Sequence, residues 1–550
     1  MLRKRDKMFL NKLRICSSLC IVILLTLVLL HLFVTIWWLR TDNQLPFFDP
    51  AFHYLHSSEY GEIFLKPSLN SFYQLIKMGG AWPPLTRLMT GPLIHIFNLD
   101  INSVVILMNI IFMPILTFSF YKIGQKLSNS SAGLFAAFLV AVYPIMIGFT
   151  RHFNLDLPLI AMLSLAFYYL LKTDNFINRK YSIIFGISVG LGLLTKHAFF
   201  IFIAPMVLCA SLYLRNLKSI INVILSVLIA GFIAGPWYIL SKGPHFDYFR
   251  YMHNIGGDIL FQLPHTTFDY YILEFINRQA SFVFFLIFLM SLVIFIFRYK
   301  NLRYKILIIV WILWTYFIFT SPIITTRANV RYTAPILIPI TLIISTGLCS
   351  IKKIFLQRLM ICLTITYALF QYIACTIEIP FIPKRMSINL FNREVALFAQ
   401  SSFIDLAFNT RPVNSSFHKK SVKAIFDRIE TEEKSNREKD PFCILLVSLH
   451  PPVNIGTFRY YNEINKNGFS LEEIFDYDQL GYEDIIHMLQ DKKYRYLIYT
   501  TYSEYLGLDS RYRDVKDAAY QWITAHPQSY VVAYQYLLPD NRKIIIYRHQ

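Results

Sequence analysis

The sequence has 550 residues, of which 55% are hydrophobic and only 16% are charged, whereas a typical soluble domain carries about 25% charged residues. This composition excludes an ordinary soluble enzyme. The net charge of +19 comes from Lys and Arg residues in short clusters between apolar runs, which is typical of membrane topology signals and argues against a nucleic-acid partner.

Apolar runs long enough to cross about 30 Å of hydrocarbon predict about eleven membrane spans, and hence an α-helical polytopic membrane protein. The first run follows a basic arm and lacks a small-residue cleavage site, so we expect a retained span rather than a signal peptide. The predicted spans are 15–39, 101–121, 132–149, 157–171, 182–196, 198–214, 219–240, 281–297, 305–320, 334–351 and 358–378.

The basic clusters predict the orientation of these spans. If the N-terminus is cytoplasmic, the inner loops hold the clusters around 122–126, 172–180, 215–218, 298–305 and 352–358, as the positive-inside rule requires. An odd number of crossings then makes the C-terminal end extracytoplasmic, in a plasma membrane or, in a bacterium, the inner membrane.

A long outer loop is predicted at 40–100, after the first span. Its runs HYLHSSEYGEIF and SLNSFYQLIKMGG are typical of amphipathic helices at the membrane surface, separated by Pro67 and ended by Gly79 and Gly80. The run WPPLTRLMTGPLIHIF predicts a re-entrant or shallow helix, because a full span there would invert the charge pattern of all later loops.

From about residue 390 the composition turns polar, which predicts a membrane domain over 1–380 and a soluble α/β domain over 390–550. Strand-like runs at 443–448, 494–501, 529–538 and 543–548 alternate with helical patterns at 418–434, 456–466 and 510–524. The domain has no Gly-rich phosphate loop, so no nucleotide site is predicted. The seven cysteines include no CxxC pair, which predicts neither a disulfide framework nor a zinc cluster.

The first candidate site is an acid followed by two histidines in the outer loop. If a helix starts at Pro50, Asp49, His53 and His56 lie on one face of it. An acid with two imidazoles fits a general base with orienting partners, or part of a metal site. The alternative is that Asp49 is only a helix N-cap, since Asp before Pro is a common helix start.

Three further groups of ionisable residues fall at predicted outer ends of spans, where charges are costly and usually face a cavity or a partner. Arg151 and Asp156, in RHFNLDLP, fit the binding of a phosphate and a hydroxyl near the interface. The alternative is that Arg151 anchors the chain to lipid headgroups and Asp156 caps a helix. Lys196, beside His197, is either a snorkelling lysine or a counter-ion for a lipid-linked phosphate. Arg327 and Arg331 with Tyr332 break the positive-inside rule, which indicates an anionic ligand or a structural ion pair with an acid of the outer loops.

Together these motifs resemble the C-type (GT-C) membrane glycosyltransferases, in the branch of the protein O-mannosyltransferases and the lipid A aminoarabinose transferase. The resemblance covers about the first 350 residues and not the soluble domain. The matching stretches are Asp49, WPPL at 82–85, RHFNLDLPL at 151–159, GLGLLTKH at 190–197, GPWY at 235–238 and RYTAPILIP at 331–339.

The resemblance implies transfer of a sugar from a polyprenyl-phosphate carrier to a protein, lipid or glycan acceptor at the outer face of the membrane, with inversion. Asp49 would be the catalytic carboxylate and Asp156 a second acid. Lys196, Arg331 with Tyr332, and Arg151 would bind the carrier phosphate. The acidic residue that often follows the first Asp in this family is Pro50 here, which weakens a metal site and leaves the need for a divalent metal open.

Two other functions remain alternatives. A transporter or lipid flippase also carries intramembrane charges, but the chain has no evident internal repeat and its charges gather at one face rather than at the midplane. A polymerase or ligase of lipid-linked glycans would share the donor and the side of the membrane.

Overall fold

The computed structural model describes residues 2–46, 48–78, 82–214, 216–241, 268–320, 329–377, 387–390, 393–397, 417, 419–435, 442–448, 453–474, 482–491, 493–501, 510–537 and 543–550. Side chains are described from residue 18 onwards, except at 268–269, 419, 435, 482 and 510–513. The described chain is helical as far as residue 376, and a β-containing region follows. This architecture confirms the predicted fold class, whereas the domain limits 1–380 and 390–550 stay a prediction.

Sixteen described helices, numbered in chain order, build the first part of the chain. They are α1 Leu2–Thr41, α2 Asp49–Phe64, α3 Leu69–Lys77, α4 Leu85–Phe97, α5 Ile101–Leu127, α6 Ser130–Val142, α7 Pro144–Phe149, α8 Asp156–Thr173, α9 Arg179–Leu193, α10 Ala198–Ser211, α11 Leu217–Leu240, α12 Phe268–Glu274 with a π-helical turn Phe275–Gln279, α13 Phe282–Arg298, α14 Leu302–Thr320, α15 Leu337–Cys349 and α16 Ile354–Thr376.

Every predicted span lies on one or two of these helices, but the predicted number of about eleven is not confirmed. Among the described residues, six helices are long and apolar enough to cross a membrane, or seven if the bent pair Tyr270–Gln279 and Phe282–Arg298 is one span. The predicted span 132–149 is interrupted at Tyr143, because Pro144 starts a new helix. Helices α6 and α10 are apolar but short, and an α-helix rises only about 1.5 Å per residue.

Three of the five predicted inner loops meet at one end of the helical region. Arg303 lies 3.9 Å from Asp174, and its guanidinium is 5.5 Å from the centre of the Tyr213 ring. These contacts join three of the basic loops. Helices α6, α9 and α11 each begin with an Asn N-cap at this end, at Asn129, Asn178 and Asn216, and each Asn side chain accepts a backbone N–H. Such caps satisfy donors that the helix itself leaves without a partner.

The outer loop 40–100 folds into α2, α3 and α4. Helix α3 has no buried residue, and Leu69 is 91% exposed; its position at the membrane surface stays a prediction. Helix α4 packs along α2 so closely that a Cβ atom on Gly91 would overlap the Ser57 carbonyl oxygen and lie 2.7 Å from the Gly61 nitrogen. His95 Nε2 adds a 2.8 Å hydrogen bond to the Ser58 carbonyl. The position of α2 is therefore set by α4.

The C-terminal region forms a hairpin and a mixed five-stranded sheet. The hairpin is β1 Ser387–Leu390 and β2 Arg393–Ala396, and the sheet contains β3 Cys443–Val447, β4 Ser470–Glu473, β5 Tyr494–Thr500, β6 Tyr530–Leu537 and β7 Lys543–His549 in the order β4-β3-β5-β7-β6. Strand β3 pairs parallel with β4 and β5, and β7 pairs antiparallel with β5 and β6. The four predicted strands are present, and β4 is additional.

Helices cover both faces of this sheet. They are α17 Lys419–Ser435, α18 Ile455–Asn465, α19 Tyr482–Gln490 and α20 Ser510–Ala525. Alternate residues of β3 enter different apolar clusters: Ile444 packs with residues of α17 and α18, and Leu445 with residues of α19 and α20. A strand that is buried on both faces reads as a continuous apolar run, which is how CILLV appears in the sequence.

The C-terminal region packs on the helical region at the start of α2. Thr457 Oγ1 donates a 2.9 Å hydrogen bond to the Pro46 carbonyl, and the Tyr460 ring packs edge-to-face on Tyr54 at 5.0 Å. A second contact is made by Asn277, whose side chain bonds the Glu394 carbonyl and the Ala396 N–H of the hairpin at 3.1 Å and 2.8 Å. The two regions therefore share the end of the molecule where α2 begins.

The contact between α2 and α4 leads to a prediction. We expect Gly91→Ala to lower the free energy of unfolding by about 1–3 kcal/mol, because the added methyl group forces α2 and α4 apart. Gly231→Ala in α11 is the matched control, since a Cβ there meets no atom within 4 Å. Thermal unfolding in detergent measures both. Equal stabilities of the two variants would contradict the described packing.

Candidate active site

A pocket of about 320 Å³, including its open mouth, collects most of the predicted site residues. The residues that line it come from α2, from the turns before α4, α8 and α10, and from the turn before α15. They are Asp49, His53, Trp82, Leu155, Asp156, Lys196, Arg331 and Tyr332.

Asp49 is the first residue of α2 and forms an ion pair with Arg331. Arg331 Nη1 donates to Asp49 Oδ2, with the carboxylate side chain 26% exposed. The N-cap residue is Phe48, with φ 50° and no side-chain cap. The carboxylate is thus directed at a cation rather than used as a helix cap. Positive φ at a non-glycine residue costs of order 1–3 kcal/mol and often occurs beside functional groups.

Asp156 is the first residue of α8 and pairs with Lys196. Lys196 Nζ donates to Asp156 Oδ1 at 2.7 Å, and the two side chains are 15% and 3% exposed. The preceding residue, Leu155, offers no side-chain cap. Lys196 is therefore held by a buried acid and does not extend to the membrane surface as a snorkelling lysine would.

Short turns hold the two basic residues of the pocket, Lys196 and Arg331, in position. The Leu85 N–H donates to the Leu194 carbonyl at 2.9 Å, which ties the turn before Lys196 to the start of α4. The turn before α15 is held by Gln279, whose side chain donates to the Val330 carbonyl at 2.6 Å and to Thr333 Oγ1 at 2.8 Å. These two hydrogen bonds from the buried Gln279 amide nitrogen hold the turn in one conformation.

Aromatic rings form the rest of the wall. The Tyr332 ring lies 6.0 Å from the Arg331 guanidinium. The buried His53 ring packs edge-to-face against Trp82 at 5.7 Å and Phe153 at 6.0 Å. Its Nδ1 has no hydrogen-bond partner among the described residues. His53 therefore offers one ring nitrogen to a ligand in the pocket.

Two predicted site residues lie elsewhere. His56 is 40% exposed and sits 3.1 Å from Glu59, because it lies two turns along α2 from Asp49, about 10 Å further along the helix. Arg151 is buried behind the site, where Nη2 donates to Thr376 Oγ1 at 2.9 Å, so the expected contact with the same phosphate as Lys196 is not supported. Arg327 lies outside the described residues.

No three His, Cys, Asp or Glu residues in the described part of the chain are grouped closely enough to hold a metal ion. The alignment of Asp49, His53 and His56 on one helix face is real, but only the first two line the pocket. A third ligand from this helix is therefore missing from the described site.

The electrostatics of the pocket keep the Asp49 carboxylate ionised and the His53 imidazole neutral. Burial alone would raise the pKa of Asp49, but the charge of Arg331, with smaller effects from His53 and Lys196, outweighs it and lowers this pKa to about 2. Burial lowers the pKa of His53 to about 3 although the Asp49 carboxylate opposes this change. Burial works against the charge of Arg331, yet Asp49 and Asp156 raise its pKa overall.

The sequence-based prediction missed two pocket residues, Trp82 and Leu155. Trp82 belongs to the WPPL stretch, and an aromatic residue before a double proline in an outer loop was the signal that could have found it. Leu155 carried no signal, because an apolar residue before a span has no distinguishing pattern.

Comparisons with known proteins agree with this architecture. Residues 82–239 match the family model of dolichyl-phosphate-mannose-protein mannosyltransferases. No curated protein matches the chain significantly in sequence. The chain is similar in structure to ArnT from Cupriavidus metallidurans bound to undecaprenyl phosphate, with TM-score 0.56, 11% identity, and 96% of this chain and 97% of that chain covered.

Two further solved structures have the same architecture. Archaeal oligosaccharyltransferase AglB from Archaeoglobus fulgidus, in complex with an inhibitory peptide and a dolichol-phosphate, matches with TM-score 0.55 and 11% identity over 95% of this chain and 74% of that chain. Arabinofuranosyltransferase AftD from Mycobacteria matches with TM-score 0.57 and 10% identity over 96% of this chain and 40% of that chain. The chain therefore has the GT-C fold, and the predicted resemblance is confirmed.

The ion pair between Asp49 and Arg331 leads to a prediction about protonation. Dicyclohexylcarbodiimide modifies protonated carboxyl groups, so wild-type Asp49 should stay unmodified between about pH 5 and pH 8, well above its depressed pKa. Arg331→Gln removes the main group that lowers this pKa and leaves burial in force, so the pKa rises and modification increases as the pH falls. Mass spectrometry of peptide digests measures the change.

Asp100 is the internal control, because it caps α5 at the surface and its modification should not differ between the two proteins. Modification of wild-type Asp49 near neutral pH would contradict the described ion pair.

Proposed function

We propose that this GT-C protein is a membrane glycosyltransferase that moves a sugar from a polyprenyl-phosphate-linked donor to a protein, lipid or glycan acceptor at the extracytoplasmic face. The observation that carries the proposal is the meeting of two carboxylate–cation pairs, Asp49–Arg331 and Asp156–Lys196, in one pocket. Such a transfer needs a base for the acceptor hydroxyl and cations for the departing phosphate. The ArnT and AglB structures that this chain resembles contain undecaprenyl phosphate and dolichol-phosphate, which supports a donor of this class.

Donor binding would rearrange these pairs. The pocket contains two acids and two cations, so an incoming phosphate must compete with the carboxylates for Arg331 and Lys196. Guanidinium and ammonium groups form strong charge-assisted hydrogen bonds to phosphate. As Arg331 turns to the phosphate, Asp49 loses the charge that depresses its pKa and becomes a stronger base. The base is then activated only when the donor is in place.

The chemical step follows from this arrangement. The acceptor oxygen forms a bond to the anomeric carbon while the bond from that carbon to the phosphate oxygen breaks, and the hydroxyl proton passes to Asp49. A single displacement of this kind inverts the anomeric configuration. A carboxylate is a weak base for an alcohol, so proton transfer is late, and much of the rate comes from neutralising the departing phosphate with Lys196 and Arg331 in a site that excludes water.

The remaining pocket residues position these groups. Asp156 holds Lys196 in the empty pocket and is available to a sugar hydroxyl once the phosphate has taken Lys196. His53 is neutral, so its ring can exchange hydrogen bonds with the sugar without adding charge. Trp82 and Tyr332 provide apolar and aromatic surface that keeps water out, and a charge interaction is stronger where water is excluded.

The side of the membrane is inferred from charge. The basic loops gather at one end around Arg303 and Asp174, and the positive-inside rule makes that end cytoplasmic. The pocket and the C-terminal region share the start of α2 at the other end. We therefore assign a cytoplasmic N-terminus, an extracytoplasmic C-terminal domain and surrounding membrane lipids as partners of the helical surface.

The alternative functions are less well supported. A transporter or flippase commonly binds its substrate near the midplane between repeats, whereas this pocket lies at the end of the helical region on which the C-terminal region packs. A polymerase or ligase of lipid-linked glycans would use the same donor pocket and differ in its acceptor.

Replacement of the proposed base tests the function. We expect Asp49→Asn to lower sugar transfer roughly 10²–10⁴-fold, the usual contribution of a positioned acid–base group. The measurement is transfer of radiolabelled sugar from polyprenyl-phosphate donors to detergent-extracted acceptors by purified protein. Asp100→Asn is the matched control, because Asp100 is an exposed N-cap and Asn is an equally good N-cap residue.

Undiminished activity of a folded Asp49→Asn protein would remove Asp49 from the mechanism. Absence of transfer by the wild-type protein across several donors and acceptors would instead shift the evidence to a transporter.

A further inference from the structure

A second pocket lies beside the candidate active site and has its own cation. Its volume is about 440 Å³ including its mouth, and Arg151 lines it together with Trp38, Asp42, Gln44, Asn102 and Phe153. Residues from the end of α1, the link to α2, the start of α5 and the turn before α8 thus surround one space.

Arg151 carries a charge that its surroundings compensate poorly. The residue is 2% exposed, and its Nη2 donates to Thr376 Oγ1, while Nε and Nη1 reach no hydrogen-bond partner among the described residues. The Trp38 ring lies 5.5 Å from the guanidinium. Burial lowers the pKa of Arg151 to about 10, and the acid Asp42, which lines the same pocket, opposes this change less than Tyr372 does. A buried charge with so weak a counter-charge is costly, so this site favours an anion.

The remaining donors suit a particular ligand geometry. A guanidinium group presents N–H groups in a planar fork that matches two oxygens of a phosphate or a carboxylate. The amide side chains of Gln44 and Asn102 can bond hydroxyl groups next to such an oxyanion. The pocket therefore fits a polar ligand with one anionic group.

This pocket is separate from the one assigned to the donor. Asp49 lines the first pocket and Pro50, the next residue, lines the second. Phe153 lines the second pocket and packs on His53 of the first at 6.0 Å. The first turn of α2 and Phe153 thus form a common wall, and the cations Lys196 and Arg331 line only the first pocket.

We propose that the Arg151 pocket binds a phosphate or carboxylate group of the acceptor, and so holds the acceptor hydroxyl against Asp49 across the first turn of α2. The identification of the ligand as the acceptor rests on the proposed glycosyltransferase function. Oxyanion binding by Arg151 does not depend on it and can be measured separately.

The test is thermal unfolding of the purified full-length protein in lipid nanodiscs with four probes. The first two probes carry the same phosphate group, sn-glycerol 3-phosphate in solution and phosphatidic acid in the bilayer, and glucuronate supplies a carboxylate. Undecaprenyl phosphate is the fourth probe and reports on the active-site pocket. The variants are Arg151→Met, which keeps much of the length of the side chain without its charge, and Lys196→Met as the matched control.

We expect at least one oxyanion probe to raise the unfolding temperature of the wild-type protein, and Arg151→Met to weaken its affinity on the order of tenfold or more. Arg151→Met should keep the response to undecaprenyl phosphate. Lys196→Met should lose the response to undecaprenyl phosphate and keep the response to the oxyanion probe. The probe that responds shows whether the pocket binds a soluble phosphate, a lipid phosphate or a carboxylate.

If Arg151→Met does not fold, Asn102→Trp replaces it, because a large side chain at this exposed position of α5 fills the pocket without touching the active site. An oxyanion response that survives Arg151→Met or Asn102→Trp, or no response to any of the three oxyanions, would overturn the proposal. Absence of an undecaprenyl phosphate response in the wild-type protein would count against the proposed function alone.

Discussion

Ion pairing at the end of an apolar helical region is the constraint on which this structure depends. A charge that is removed from water beside lipid is costly unless an opposite charge meets it. Asp49 therefore pairs with Arg331, 282 residues away, and Asp156 with Lys196, 40 residues away. These two pairs draw the outer loop, the turns before α8 and α10, and the turn before α15 into one pocket.

The same pairing decides how the pocket can react. Arg331 keeps the Asp49 carboxylate ionised but weakly basic, and in the proposed mechanism a phosphate that binds Arg331 and Lys196 would make this carboxylate more basic. The supporting structure preserves the geometry: α4 packs closely on α2 at Gly91 and Gly61, and α18 of the C-terminal region packs on the start of α2 through Thr457. The packing of α4 and α18 on α2 thus fixes the direction in which the first turn of α2 points the Asp49 carboxylate.

Much of this organisation could be predicted from sequence because its causes are local. Apolar run length and β-branched runs are local patterns, so the helical class and the strands β3, β5, β6 and β7 were predicted. An ion pair of Arg331 with an acid of the outer loops was one of two predicted alternatives, but Asp49 was not identified as the partner, since nothing local specifies a residue 282 positions away. Arg151 was assigned to the carrier phosphate because it precedes Asp156 in one turn, yet the two side chains enter different pockets. The count of spans failed where Pro144 and short helices divide apolar runs.

The most direct test is a cryo-electron microscopy structure of the protein with undecaprenyl phosphate bound in a lipid nanodisc. The central claim is that the two ion pairs form the donor site. It predicts the phosphate within hydrogen-bond distance of both Lys196 and Arg331, with Asp49 separated from Arg331 and facing the pocket. A phosphate bound elsewhere, with the pairs Asp49–Arg331 and Asp156–Lys196 intact, would contradict the claim.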